Sequence, residues 1–342
     1  MNSAHHYDEA KQRLLDEEMG SPLLSPPRGR SPRPVVLMSP SLRRTLMWFG
    51  IVSTLCLCYF ATRRNEGTSR KPLSYRETFH RPPASPLNQD AILVKRPTRD
   101  HTVTAILLHG LGDIYRTTPA ALTAVLSERY DYVKWVAPQA RLINSTVSGG
   151  VPTSAWYNIE TFADLHQNED ENGMIESQRE INQLIQEERD ALIRIGREPR
   201  IVVAGFSQGA VMTMLNVLVS TDQLEAAILL SGYLPLPKQT QQLGSTIPHD
   251  LPVWWGHGEA DPFLTEIHAS EDVATLREAP YSLSNLEYKT YAHVEHYWSP
   301  EELEDMARWF GEHAPRERST GDAKAEAKRL GQKGGRRRHF SG

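Results

Sequence analysis

The pentapeptide Gly205-Phe206-Ser207-Gln208-Gly209 constrains this chain more than any other feature. A β-rich run, Arg200–Ala204, precedes it, and an apolar helical pattern, Val211–Val219, follows. A chain that turns from strand to helix within so few residues needs small residues on both sides of the serine, because the turn is sharp. Such a turn exposes Ser207 at the carboxyl edge of a sheet and aims the backbone N–H of Gln208 at any oxyanion formed there. The G-x-S-x-G pattern arises by chance about 0.1 times in a chain of this size. The alternative reading is an ordinary Gly-rich turn between strand and helix.

The surrounding sequence predicts the setting. Strand-like runs occupy 102–110, 132–138, 200–207, 226–235, 252–258 and 286–294. Several are continuously apolar, as expected of strands covered on both faces. Helical spacing links Ile181, Leu184, Ile185, Leu192 and Ile195, and residues 209–220 continue the elbow. Ser299, with Pro300 next and Glu302 three residues on, reads as a capping box opening a last helix. Alternating β and α elements predict an α/β domain with a mostly parallel sheet and helices on both faces.

A serine hydroxyl is a weak nucleophile at neutral pH and requires a base held by an acid. On an α/β sheet with this elbow the acid and the base follow the serine in that order. Asp261, between Gly258 and Pro262 just past a strand run, is the candidate acid. His296, just before the capping box, is the candidate base, with His293 the alternative. The first strand run ends in His109-Gly110-Leu111-Gly112-Asp113, a Gly-flanked loop able to supply a second oxyanion donor. His109 and His257 read as structural. No cofactor and no metal is expected. The two cysteines, Cys56 and Cys58, fall in one apolar run, so the rest of the chain has neither a disulfide framework nor a cysteine metal site.

Charge divides the chain. Residues 101–313 hold 13 Lys/Arg against 30 Asp/Glu, whereas residues 1–100 hold 16 against 9 and residues 314–342 hold 9 against 3. A body this acidic repels a phosphate backbone, which argues against nucleic acid as a partner. Residues 1–44 are rich in Ser-Pro pairs and Arg and are expected to be a disordered tail. Residues 45–62 carry no charge and lie between Arg43-Arg44 and Arg63-Arg64; they are expected to form a single-pass membrane anchor. Residues 63–99, with five prolines, read as a tether, 100–313 as the catalytic domain and 314–342 as a basic disordered tail. Lys/Arg flanking the apolar run are nearly balanced, so the side of a membrane is not assigned.

Taken together, LHGLGD (108–113), VAPQA (136–140), SAWYNI (154–159), GFSQGA (205–210), LSGYLPL (230–236), GHGEADPF (256–263) and YKTYAHVEH (288–296) resemble the acyl-protein thioesterase/lysophospholipase branch of the phospholipase–carboxylesterase family. The resemblance runs from about residue 103 to 311. It implies an α/β-hydrolase without a large lid that cleaves thioesters or oxyesters of long acyl chains, acting on an acylated protein or a lipid ester. It puts the nucleophile on Ser207, the acid on Asp261, the base on His296 and the oxyanion donors on the N–H groups of Leu111 and Gln208. Trp156, near the acyl channel of the family, is the expected substrate contact. This chain departs from the family at Ile114-Tyr115-Arg116, at Ala210 and at Tyr157-Asn158. A carboxylesterase or a lysophospholipase shares every motif, and a peptidase would need a cap domain that is not evident. A binding scaffold on an inactive hydrolase fold is the reading from another class, and the intact Ser, Asp and His argue against it.

Overall fold

The computed structural model describes residues 87, 92–114, 117–219, 223–246 and 249–316. Seven strands form one sheet: β1 (Ile92–Lys95), β2 (Val103–Leu108), β3 (Val133–Pro138), β6 (Ile201–Phe206), β7 (Ala226–Leu230), β8 (Val253–Gly258) and β9 (Leu286–Tyr291), in the spatial order β1-β3-β2-β6-β7-β8-β9. The six from β3 to β9 run parallel, and β1 pairs antiparallel with β3 at the edge. β4 (Leu142–Ser145) and β5 (Val151–Ser154) pair antiparallel as a separate two-stranded sheet.

The period-two alternation of the strands sorts the core into two layers. Ile106 and Leu108 of β2 and Val203 of β6 point to one face, where α2 (Glu171–Arg194), α3 (Gln208–Val219) and α5 (Glu266–Arg277) pack. Ala105 and Leu107 of β2 and Val202 and Ala204 of β6 point to the other, covered by α1 (Thr118–Arg129) and α6 (Pro300–His313). A one-turn helix, α4 (Pro237–Thr240), follows β7. Each fully buried Leu or Ile contributes roughly 1.5–3 kcal/mol, so two complete layers supply the dominant stabilising term. On the α6 side Trp135 stacks on Phe310 at 5.6 Å.

Local chemistry sets the helix ends. The Asp170 carboxylate accepts the N–H of Gly173 at 2.9 Å and caps α2. The same helix stops at Gly196, whose φ of +72° suits a residue without Cβ. Ser299 Oγ accepts the N–H of Glu302 at 3.0 Å, so the cap read from the sequence starts α6.

The sheet begins inside the stretch read as a tether, at Ile92, and Leu87 is already buried against the α2/α3 core. At the other end Ala314 is buried; Tyr132 donates to its carbonyl at 2.9 Å, and Arg200 Nη1 donates to the carbonyl of Pro315 at 2.6 Å. Residues 1–44, 45–62 and 317–342 lie outside the described residues. Among the described residues no helix is long and apolar enough to cross a membrane, and the single-pass localisation expected from residues 45–62 is corrected accordingly. An uncharged run establishes hydrophobicity only. A span also requires the run to form one continuous helix, which the absence of charge does not by itself establish.

Candidate active site

The strand β6 delivers Phe206 to the carboxyl edge of the sheet, and Ser207 adopts a left-handed conformation with φ of +54°. A non-glycine residue is held there only when its surroundings over-determine it. Here the Ser207 N–H donates to the Leu230 carbonyl of β7 at 2.9 Å, and its carbonyl accepts from Val211 in α3. The two glycines are dictated by contact. A Cβ on Gly205 would sit 2.2 Å from the Gly209 oxygen, and one on Gly209 would sit 2.1 Å from the Leu108 oxygen at the end of β2.

Asp261 and His296 come from the loops after β8 and β9. These loops are bound to each other: Glu259 N–H donates to the Tyr291 carbonyl at 3.0 Å and Ala260 N–H to that of Val294 at 2.9 Å. His296 Nδ1 lies 2.7 Å from Asp261 Oδ2, and His296 Nε2 lies 2.8 Å from Ser207 Oγ. An ionised carboxylate only accepts, so the imidazole proton sits on Nδ1 and Nε2 is free to accept the serine proton. The other oxygen of Asp261 accepts the N–H groups of Phe263 and Leu264, each at 2.9 Å. Burial pushes this carboxyl up, but His296 and these two backbone donors outweigh it and hold Asp261 below the ordinary carboxylate range. The rings of Phe206 and Phe263 flank His296 at 5.0 and 5.5 Å. His293 is exposed and makes no part of this chain of hydrogen bonds.

The loop 109–113 is braced from below. His109 is fully buried and donates from Nδ1 to the Gly110 carbonyl at 2.7 Å, while its Nε2 accepts the Ala140 N–H at 3.0 Å. Burial lowers its pKa, in keeping with a neutral ring that donates on one side and accepts on the other. Gly112 N–H donates to the Ser154 carbonyl at 2.8 Å. Gln139 binds His109, Ser154 and the Asp113 carbonyl together. Among the described residues no backbone carbonyl accepts the N–H of Leu111 or of Gln208. Gln208 is the first residue of α3, where the backbone N–H groups have no intrahelical acceptor.

Trp156, expected as a substrate contact, is 1% exposed, and its indole N–H donates to the His109 carbonyl at 2.9 Å. It lies beneath the loop and supports it. The side chain of Gln208 was not singled out from the sequence, yet it accepts the Trp156 N–H at 2.8 Å and donates to the Tyr157 carbonyl at 2.7 Å. Gln139 and Ser154 were likewise present only as letters in family-like blocks. His257, read as structural, is fully buried and donates to the Leu264 carbonyl at 2.6 Å. Exposed apolar side chains edge the site: Ile114 in the loop 109–114, and Phe162, whose ring meets Phe263 at 5.3 Å.

A covered parallel sheet with a serine elbow, and with Asp and His on its carboxyl-edge loops, defines an α/β-hydrolase. Residues 89–313 match the phospholipase/carboxylesterase family, and the chain belongs to that family of hydrolases. It is 33% identical over 229 residues to the acyl-protein thioesterase 1 of Cryptococcus neoformans, a match covering 63% of this chain and 94% of that protein. It is 32% identical over 250 residues to the acyl-protein thioesterase 1 of Neurospora crassa, covering 71% and 99%. Among solved structures, the acyl-protein thioesterase 2 of Zea mays superimposes with a TM-score of 0.51 at 25% identity, covering 65% of this chain and 98% of that one.

Proposed function

We propose that residues 100–313, with the edge strand β1, form a serine hydrolase that cleaves long-chain acyl thioesters on acylated proteins by way of Ser207, His296 and Asp261. The observation that carries this reading is the unbroken hydrogen-bond chain Ser207 Oγ–His296 Nε2 and His296 Nδ1–Asp261 Oδ2, at 2.8 and 2.7 Å. The relatives named above, themselves acyl-protein thioesterases, support the substrate class, as does the apolar edge at Ile114 and Phe162.

In this mechanism Ser207 Oγ attacks the acyl carbonyl carbon as its proton passes to His296 Nε2. The carbonyl π pair moves to oxygen, and the oxyanion is met by the N–H groups of Leu111 and Gln208. Asp261, ionised across the neutral range, fixes the imidazole tautomer and offsets the imidazolium charge. The C–S bond then breaks, the thiolate takes the proton from His296, and Ser207 is left acylated. Water enters, gives a proton to Nε2 and attacks the ester carbon; the acid leaves and Ser207 Oγ recovers its proton. Trp156 and the Gln208 side chain act as positioning residues that hold the two N–H donors at a fixed separation.

The test is a panel of acyl-thioester, simple ester and lysophospholipid substrates, with fluorophosphonate labelling in parallel. Labelling that survives Ser207→Ala defeats the nucleophile assignment. Labelled enzyme that turns over only short esters or only lysophospholipid would defeat the substrate class and leave the reaction type standing.

A further inference from the structure

On the face of the sheet away from α3, the last turn of α1 and the first two turns of α6 diverge around a cavity of about 400 Å³. Its walls are apolar: Val125, Leu126, Leu303, Ala307 and the indole of Trp298. Val125 is 40% exposed there. Carboxylates stand at the rim, Glu128 and Glu304, the latter shared with Arg129 at 3.0 Å.

Two ends of the chain lie outside the described residues, and only one is well placed. The N-terminal side joins the fold through Leu87, which packs in the α2/α3 layer on the opposite face. The C-terminal side leaves from Ala314, which belongs to the same layer as Leu126, Leu303 and Ala307. Residues 317–342 carry 8 Lys/Arg against 3 Asp/Glu and contain a single large aromatic residue, Phe340, directly after Arg336-Arg337-Arg338-His339. From the end of α6 back to its start beside Trp298 is roughly 21 Å at 1.5 Å per helical residue. A random-coil chain of about 24 residues has an r.m.s. span of roughly 27 Å, so the length from 317 to 340 is enough to reach.

We infer that this groove is the docking site of the chain's own C-terminal segment, with Phe340 in the apolar trough against Trp298 and Arg336–Arg338 over Glu128 and Glu304. Tethering sets the local concentration on the order of 1 mM, so a contact with a dissociation constant of about 0.1 mM is about nine-tenths occupied. Trp298 meets Phe206 edge-on at 5.0 Å, and Phe206 packs on His296 at the same distance, so the docked segment abuts the scaffold of the active site. The docking itself does not depend on the proposed substrate.

Hydrogen–deuterium exchange of the full chain tests this. Phe340→Ala, and separately Arg336, Arg337 and Arg338 all changed to Glu, should speed exchange in 122–130 and 299–308 by about tenfold while β6 to β8 stay unchanged. Glu128→Arg in the groove should do the same, and high salt should reproduce the effect in the unaltered chain. Exchange in these helices equal to wild type in all three variants overturns the proposal. Protection that fades on hundredfold dilution would assign the groove to a second copy of the chain, and overturns it too.

Discussion

Replacing Gly209 by Ala places one methyl group between the two halves of the proposed oxyanion site. The added Cβ would lie 2.1 Å from the Leu108 oxygen, 2.5 Å from the Leu108 carbon and 2.7 Å from the His109 oxygen. All three are backbone atoms, so no side chain can swing aside, and ordinary contact requires the strand end and α3 to separate by about 1 Å. Leu108 leads in three residues to Leu111, and Gly209 follows Gln208, so the displacement opens the gap between the two N–H donors. A misplacement of about 1 Å in a catalytic constellation costs on the order of 10²-fold. Overpacking should cost a further 1–3 kcal/mol of stability, or roughly 2–12 °C in Tm. The assay is kcat and KM on a long-chain acyl thioester, with a thermal melt and a fluorophosphonate labelling rate on the same sample. The expected result is kcat down about a hundredfold, KM near wild type and a folded protein. Gly110→Ala is the comparison, since its Cβ meets only the side chains of Phe206 and Ser207, at 3.4 Å, and should cost a few-fold at most. A Gly209→Ala enzyme with wild-type kcat and Tm would refute the reasoning.

Other outcomes follow from the same geometry. Ser207→Ala should melt close to wild type and lose fluorophosphonate labelling, read on a gel. His296→Ala should lower kcat by about three or more orders of magnitude, whereas His293→Ala, at an exposed position, should leave steady-state rates nearly unchanged. Asp261→Asn should cost about 10⁴ in kcat, because an amide can hold the wrong imidazole tautomer, with little change in KM. Glu302 is fully buried, and burial, with Asp305 nearby, pushes its pKa up to about 8. The unfolded chain releases this proton near pH 4.3 and the folded one near 8, so the contribution is complete in acid and is lost as pH rises between them, on the order of a few kcal/mol. Tm against pH from 5 to 9 should therefore flatten in Glu302→Gln, and parallel curves for the two proteins would contradict it.

The proposed catalytic residues could be read from the chain because each lies in a local context that only its place in the fold explains. Ser207 is enclosed by glycines that steric contact demands, Asp261 sits in a turn after a strand, and His296 precedes a capped helix. The long buried strands were legible for a similar reason, their apolar runs being continuous. What escaped notice was short or half-polar. β1 has four residues, two of them exposed, and lies in a Pro- and Arg-rich stretch. The hairpin β4–β5 exposes Leu142 and Val151, so it shows no inward apolar face. In α5 only Ala269, Val273 and Leu276 are buried while Ile267 is exposed, leaving almost no amphipathic signal. The roles of Gln139, Ser154 and the Gln208 side chain depend on contacts between distant segments, which residue spacing does not encode.

The polarity of β1 decides how this enzyme is presented when it is held by one end. Ile92 pairs with Pro138, at the carboxyl end of β3, so the chain enters the sheet at the same edge as Ser207 and His296. Tyr132 and Arg200, which fasten Ala314 and Pro315, stand at the amino ends of β3 and β6, so the chain leaves at the opposite edge. Immobilised through a handle before residue 92, the protein would turn its catalytic mouth toward the support, where a bulky acylated substrate must squeeze in. Held instead at Pro315, where the chain leaves the sheet, it would turn the mouth outward into the bulk solution.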